Sequence, residues 1–413
     1  MSTSPSGQWT ARSIDDAAWP DFLSVDAHAF GMTTPPELLE TIAETHERAR
    51  DIGVYDGELL AGIATAYSFD LSIPGGSLPA AGVSWVGVLP THRRRGILGT
   101  LMRHQLTGLH DDGREPLAVL WASEPPIYGR FGYGPATHRR EMTVRRSPAA
   151  LVAGAPSDAG LRLRLADASD TGAFRAVHDT VVADRPGGFT RPDSWWARTV
   201  RDLPVMREGR SELRCVLAED ASGVRGYALY FTKQAFGEDF ADGEVTVREV
   251  MALDPAALAT LYRYLFDLDL MGRTSFWNVP VDDPLVHWLA NPRMARQRPG
   301  DALYVRLVGV GEALAARTYS ADLDLVLDVT DGTCPWNAGR WHLSGGPGGA
   351  TCERTGAAAD LTLDVRELGA AYLGGTALVE LAAAGLVHGA DPAVRAASVA
   401  FAHHPAPWCP MVF

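Results

Sequence analysis

The chain offers little for disulfide, metal or membrane chemistry. It has four cysteines, Cys215, Cys334, Cys352 and Cys409. They lie far apart and lack the close spacing of a metal-ligand set. Free thiols are expected, with the pairing of Cys334 and Cys352 left open. No apolar run approaches the roughly 20 residues that a membrane helix needs. The opening MSTSPSGQWTARS has no hydrophobic stretch of the secretory type. These features predict a cytoplasmic protein without a membrane partner. Basic charge is in short supply as well. There are 37 Lys and Arg against 50 Asp and Glu, for a net charge of −13 and an isoelectric point of about 5.4. General nucleic-acid binding needs the opposite balance and is not expected. An acidic surface suits a cationic small-molecule substrate, and it also serves ordinary solubility.

Apolar residues make up 46% and charged residues 21% of the 413 positions, a globular composition. The length exceeds one ordinary core, so two or three domains are expected. Residues 8–22 suggest a short strand and then a helix, its start marked by Ser13, Asp15 and Asp16 and its body running toward Phe30. Residues 36–50 suggest a second helix with Leu38, Leu39, Ile42 and Ala43 on one face. Asp56-Gly57 marks a hairpin turn, and Pro74-Gly75-Gly76 another. Residues 117–123 (LAVLWAS) form a continuous apolar run of the buried-strand kind. Residues 145–160, rich in Pro, Ala, Gly and Ser, suggest a linker.

The central feature is Val83–Met102, VSWVGVLPTHRRRGILGTLM. A strand over Val83–Leu89 stops at Pro90. Arg93, Arg94, Arg95 and Gly96 follow, and then Ile97, Leu98, Leu101 and Met102 recur at helical spacing. A strand, a basic glycine-containing turn and a helix point backbone N–H groups and the positive end of a helix dipole at one place, which suits a phosphate. The pattern returns at residues 245–268, VTVREVMALDPAALATLYRYLFDL, with Pro255 but without the arginines and glycine. The flanking elements return too, from residue 161 onward. The chain therefore contains an internal duplication whose second copy lacks the phosphate turn. From about residue 305 the texture changes to a smaller α+β region: alternating LDLVLDVTDG, a glycine hairpin near residue 345, a strand and helix over 360–375, and helical segments over 378–389 and 392–404.

Arg93–Leu98 resembles the acyl-coenzyme A signature of the GNAT superfamily of N-acetyltransferases, with Leu98 where a small residue is usual. The wider series PTHRRRG, SE-x-x-IYGRFGYGPAT (123–137), degenerate second unit and terminal α+β domain resembles the enhanced intracellular survival (Eis-type) family. The resemblance spans nearly the whole chain. It implies an α/β fold with mixed sheets: two tandem GNAT-like domains, the second degenerate, and a C-terminal sterol-carrier-protein-like domain. The implied boundaries are 1–150, 160–304 and 305–413. It also implies acetyl-CoA as acyl donor, bound by Val86, Gly87 and Val88 of the strand, by Arg94, Arg95, Gly96, Ile97, Leu98 and Gly99 of the turn, and by Ser123 and Glu124.

The remaining roles follow from the same resemblance. Tyr128 is the implied general acid toward the departing thiolate, and a phenol is chemically suited to that task. Tyr133 stays a competing candidate. The free carboxylate of Phe413 is the implied general base, in keeping with the apolar tail APWCPMVF; Val412 stands where the family often has an acid. Phe30 and Trp85 are the implied acceptor-pocket aromatics. No metal is implied. The expected reaction is direct transfer in a ternary complex to primary amines of aminoglycoside-like or polyamine compounds, or to peptide lysines, by a homohexamer. Antibiotic resistance is one role such a reaction serves. Two other classes stay open: a non-catalytic acyl-coenzyme A sensor, and a lipid carrier or interaction protein acting through the last domain.

Overall fold

A computed structural model describes residues 9–146, 151–237 and 241–413. Part of the expected linker, residues 147–150, falls outside the described residues. By contacts the chain divides into two units. One comprises the residues up to Thr137 together with Ala302–Phe413, the other His138–Asp301.

The first unit opens with β1 (Ala11–Ser13), α1 (Trp19–Phe30) and α2 (Pro36–Thr45). Then come β2 (Ile52–Asp56), β3 (Leu59–Ile73), β4 (Gly76–Val88), α3 (Ile97–Asp112), β5 (Leu117–Trp121), α4 (Pro125–Tyr128) and β6 (Gly134–Pro135). The expected helix over 36–50 ends at Thr45, and a separate 3-10 turn covers Arg48–Arg50. The expected strand over Val83–Leu89 is the last part of a longer one, since β4 pairs with β3 from Gly76 onward. Both hairpin turns lie where the sequence places them. Gly57 and Gly75 hold φ of 62° and 88°, a backbone region that glycine enters without a Cβ penalty.

The second unit repeats the layout. It runs β7 (His138–Arg145), β8 (Arg162–Ala166), α5 (Thr171–Ala183), α6 (Asp193–Val200), β9 (Arg214–Asp220), β10 (Gly223–Lys233) and β11 (Gly243–Ala252). It continues through α7 (Pro255–Asp267), β12 (Met271–Pro280), α8 (Leu285–Trp288) and β13 (Ala295–Asp301). The first sheet has the order β1-β2-β3-β4-β5-β14-β6, with β14 at Leu303–Leu307. The second has the order β13-β7-β12-β11-β10-β9-β8. In each sheet four strands run antiparallel and the fifth joins the fourth in parallel. In each, the strand beside that fifth one comes from outside the repeated stretch. β14 follows the second repeat in sequence yet pairs with β5, and β7 follows the first repeat yet pairs with β12.

The last part of the chain belongs to the first unit. It contains α9 (Val310–Ala316), β15 (Leu323–Thr330), β16 (Gly339–Gly346), β17 (Gly349–Arg354), β18 (Leu361–Asp364), α10 (Val365–Ala371), α11 (Leu378–Ala383), β19 (Val387–Gly389) and α12 (Asp391–Phe401). These strands form a third sheet of order β17-β16-β15-β18-β19. The segment Val387–Gly389 is a strand rather than helix, because it finds an edge to pair with on β18. All four cysteines are free and buried. No helix among the described residues is long and apolar enough to cross a membrane.

Two close approaches seat this last region on the first sheet. A Cβ on Gly134 would lie 2.0 Å from the carbonyl oxygen of Arg366, and one on Gly369 2.3 Å from that of Val305. Only glycine at both positions lets α10 reach the backbone of β6 and β14. Beside them Arg306, fully buried, pairs with Asp331 at 2.6 Å. The Asp331 carboxylate also receives the side-chain amide of Asn337 at 3.1 Å. The tyrosine- and glycine-rich block at 127–137 thus has a structural duty: Gly132 and Gly134 fit it under α10 and Arg306.

Candidate active site

β4 carries the site because it cannot stay flat. It pairs in parallel with β5 only over Ala80–Gly82. Its register with β3 then breaks: Thr65 faces Ser84 and Ile63 faces Gly87, so Trp85 and Val86 together oppose one residue. Trp85 sits at φ 54°, an uncommon conformation for a bulky side chain. Such a bulge bends a strand and re-aims its groups. β4 therefore parts from β5, and two connected cavities occupy the gap.

The larger cavity has a volume of about 1010 Å³. One wall is the bent strand, Val86–Val88, and the other is Ser123, Glu124 and Tyr128. Its floor is the basic turn with Arg93, Arg94 and Gly96–Gly99. Two residues of that turn take left-handed backbone angles, Arg94 at φ 61° and Gly96 at 91°. Nothing lies within 4 Å of the position a Gly96 Cβ would take. Space is thus open at the N-terminus of α3, where unpaired N–H groups and the helix dipole favour an anion. The apolar side of α3, Ile97, Leu101, Met102 and Leu106, is buried against the sheet and fixes the direction of that N-terminus.

The arginines divide their duties. Arg93 Nη2 donates to the Ala29 carbonyl at 2.8 Å and tethers the turn to the end of α1. Arg95 turns aside: its guanidinium lies 3.7 Å from Asp56 and 5.0 Å from the centre of the Trp9 ring. Trp9 Nε1 in turn donates to the Arg95 carbonyl at 2.8 Å. The Arg95 side chain, one of the expected cofactor contacts, is not among the groups lining the cavity, whereas Arg93, which heads the motif but was not among those expected contacts, is. Val86, Gly87, Val88, Arg94, Gly96, Ile97, Leu98, Gly99, Ser123 and Glu124 all line it.

The smaller cavity, about 330 Å³, shares Phe30, Val86, Ser123 and Tyr128 with the first. Its further walls include Asp26, Ser84, Trp85, Trp121, Val412 and Phe413. Trp85 Nε1 donates to the Tyr67 hydroxyl at 2.8 Å, which holds the indole edge in place. The last residues come to this cavity by specific contacts. Trp121 Nε1 donates to the Met411 carbonyl at 2.9 Å, and Ser84 Oγ to the Phe413 main-chain oxygen at 3.1 Å. The Phe413 ring packs 5.0 Å from Phe69, over Gly82, where a Cβ would stand 3.1 Å from it. Phe30 is 45% exposed at the rim, where an incoming ligand would meet it.

Tyr128 stands where the cavities meet. Burial, followed by the nearby Glu124 carboxylate, pushes its phenol up to about 12, so it keeps its proton at neutral pH. Tyr133 is fully buried, lines neither cavity, and has no partner for its hydroxyl. Its ring lies edge-on 6.1 Å from Tyr128 and supports it. Asp26 was not marked by sequence reasoning. It is 7% exposed on α1 and lines the smaller cavity, and burial raises its carboxyl to about 6. Only its place in the segment Val25-Asp26, on the inner side of an amphipathic helix, could have signalled it. No group of three or more candidate metal ligands occurs among the described residues.

The arrangement is a basic turn joined to a cavity with a carboxylate and aromatic walls, with a protonated phenol at the junction. It suits two ligands held at once, one bearing phosphate and one bearing positive charge. Comparison with known proteins agrees with the first half. Residues 10–136 and 187–307 each match an acetyltransferase (GNAT) domain family, and residues 310–410 a sterol carrier protein domain family. The chain is 45% identical over 403 residues to an uncharacterized N-acetyltransferase of Streptomyces coelicolor, covering 96% of this chain and 97% of that one. It is 36% identical over 380 residues to N-acetyltransferase Eis of Mycobacterium tuberculosis, covering 89% and 90%. The crystal structure of Eis1 from Mycobacterium abscessus superimposes with a TM-score of 0.83 at 32% identity, covering 98% of this chain and all of that one.

Proposed function

The chain belongs to the Eis-type family of GNAT-superfamily N-acetyltransferases, and on that premise we propose that it acetylates primary amines of polycationic small molecules. Acetyl-CoA-dependent transfer comes with the family. Aminoglycoside-like and polyamine acceptors, and direct transfer in a ternary complex, are our reading. The observation that carries it is the smaller cavity. The Asp26 carboxylate and the aromatic faces of Trp85, Trp121 and Phe30 surround a space that opens directly onto the donor cleft. Carboxylate and π-faces together favour ammonium groups. A cavity of about 330 Å³ takes a ring or chain segment with the rest of the molecule outside.

Acetyl-CoA supplies an activated acyl group. The open, glycine-containing turn with Arg93 and Arg94 fits its diphosphate, and the bent strand at Val86–Val88 offers unpaired backbone groups to its arm. A backbone N–H of this segment aimed at the thioester oxygen would stabilise charge as it develops there. In a chain ending at Phe413, the terminal carboxylate takes a proton from the bound ammonium. The amine nitrogen then bonds to the acyl carbon while the carbon–sulfur bond breaks. Tyr128 gives its hydroxyl proton to the departing sulfur, and the second proton leaving the nitrogen passes to the phenolate, which restores the phenol and leaves a neutral amide. A phenol held near 12 is too weak an acid to lose its proton beforehand and still able to protonate a thiolate as it forms. No cysteine lines either cavity among the described residues, consistent with transfer that passes through no acylated thiol.

Thiol release from acetyl-CoA, measured against aminoglycosides, polyamines and neutral amino-sugar analogues, tests the proposal. Turnover with the polycations and far less with the neutral compounds is expected. Tight coenzyme A binding with no turnover on any amine would instead make the chain an acyl-coenzyme A sensor.

A further inference from the structure

The smaller cavity of the first unit is built of two unlike parts. Charge lies inside it, on the buried Asp26 carboxylate. Large apolar side chains stand at its mouth. Met32 is 52% exposed, Val412 47% and Phe30 45%, and all three line this one cavity. A single exposed apolar residue is ordinary on a protein surface. Three around one opening form an apolar lip, which Leu38 and the buried Ile42 continue inward. Of the lining residues from Phe30 to Ile42, Thr34 alone is polar.

The lip is held in place. Gly31 closes α1 in a left-handed conformation at φ 66°, and the Met32 N–H donates back to the Ala27 carbonyl at 3.1 Å. The chain turns tightly there, and Phe30 and Met32 come to the same opening. Val412 is fixed from both sides. The Met411 carbonyl accepts from Trp121 Nε1 at 2.9 Å, and the Phe413 main-chain oxygen from Ser84 Oγ at 3.1 Å. A side chain between two anchored peptides has little freedom to withdraw from the opening.

An acceptor that sets its ammonium against Asp26 leads the adjoining part of the molecule out past this lip. A hydrocarbon arm gains there, because arm and lip leave water together. A hydroxylated ring loses there, because its hydroxyl groups give up water and meet Thr34 as their single side-chain partner on that wall. We propose that Met32 and Val412 are specificity-determining residues. They select a primary amine at the end of a hydrocarbon arm, as in a linear polyamine, over an amine set on a sugar ring. This rests on the reading of the cavity as the acceptor site, and it ranks the two acceptor classes of the proposed reaction.

Steady-state transfer to α,ω-octanediamine and to its diether analogue tests the ranking. The two compounds match in length, and both amines of each are protonated at neutral pH. They differ in two methylenes replaced by ether oxygens. With acetyl-CoA saturating, the hydrocarbon diamine should be favoured about tenfold or more in kcat/KM, mainly through KM. Met32→Gln and Val412→Thr keep nearly the same size and remove apolar surface at half-exposed positions. Each should cut the preference about threefold or more, and the double variant should nearly abolish it. A general disturbance of the site would slow both diamines alike and leave their ratio unchanged. Equal kcat/KM for the two diamines, or a preference that survives in the double variant, would overturn the inference and leave the acceptor reading standing. So would transfer to the aminoglycoside kanamycin with none to either diamine. No transfer to any of the three, with coenzyme A still bound, would overturn the acceptor reading and the inference with it.

Discussion

Replacing Asp26 by asparagine should make the protein more stable and worse at holding its acceptor. The carboxyl is buried on the inner side of α1, and burial lifts it from 3.8 to about 6. Over that interval the native protein holds a proton that the unfolded chain has released. The native state thus binds more protons, and stability falls as pH rises from about 4 to about 6. Above pH 6 the full effect is present, about 3 kcal/mol. Asparagine has nearly the same shape and no charge to lose. The variant's advantage should be near zero at pH 4 and about 3 kcal/mol at pH 8, or about 5–10 °C in melting temperature for a unit of this size. Scanning calorimetry between pH 4 and pH 8 reads this directly. The functional consequence has the opposite sign: losing one charge-assisted contact should raise KM for a polyamine about tenfold or more, with kcat little changed. In the parent protein, KM should rise below pH 6 as Asp26 takes its proton. A melting difference constant across pH, or a variant less stable than the parent at pH 8, would refute the reasoning.

Three further outcomes are expected. Tyr128→Phe should lower kcat about 100-fold while coenzyme A binding, read by calorimetry, stays within a few-fold; an unchanged kcat would move the acid role elsewhere. Gly134→Ala should lower the melting temperature and the transfer rate together, because its methyl group would stand 2.0 Å from the Arg366 carbonyl and push α10 off the first sheet. Arg306→Met, which strands the buried Asp331, should cost about 3–5 kcal/mol in chemical denaturation, whereas the double change Arg306→Met with Asp331→Asn should recover part of it.

The turn at Arg93–Gly96 and the helix after it are legible because a glycine, a proline and a helical apolar repeat are local signals. Which arginine faces the cleft is not legible. That is decided by Arg94 adopting a left-handed angle and by Trp9 and Asp56 drawing Arg95 away, from positions about 86 and 39 residues distant in the chain. Asp26 carries no local mark in the sequence, because its burial depends on what packs against α1. The parting of β4 from β5 hinges on a bulge at Trp85, which periodicity does not show. The duplication was legible from order alone. The placement of β7 and β14 was not, since both pair with strands remote in sequence.

The central claim is that the residues at the far end of the chain complete a site built around β4. Its most direct test is a chain extended by two glycines beyond Phe413, assayed for thiol release from acetyl-CoA with a polyamine acceptor and for coenzyme A affinity in parallel. The extension displaces the terminal carboxylate and leaves every side chain in place. A loss of turnover of about 100-fold or more, with coenzyme A affinity within a few-fold of the parent, is the expected result. Turnover close to the parent's would contradict it and require the base to be sought elsewhere in the pocket, beginning with Asp26.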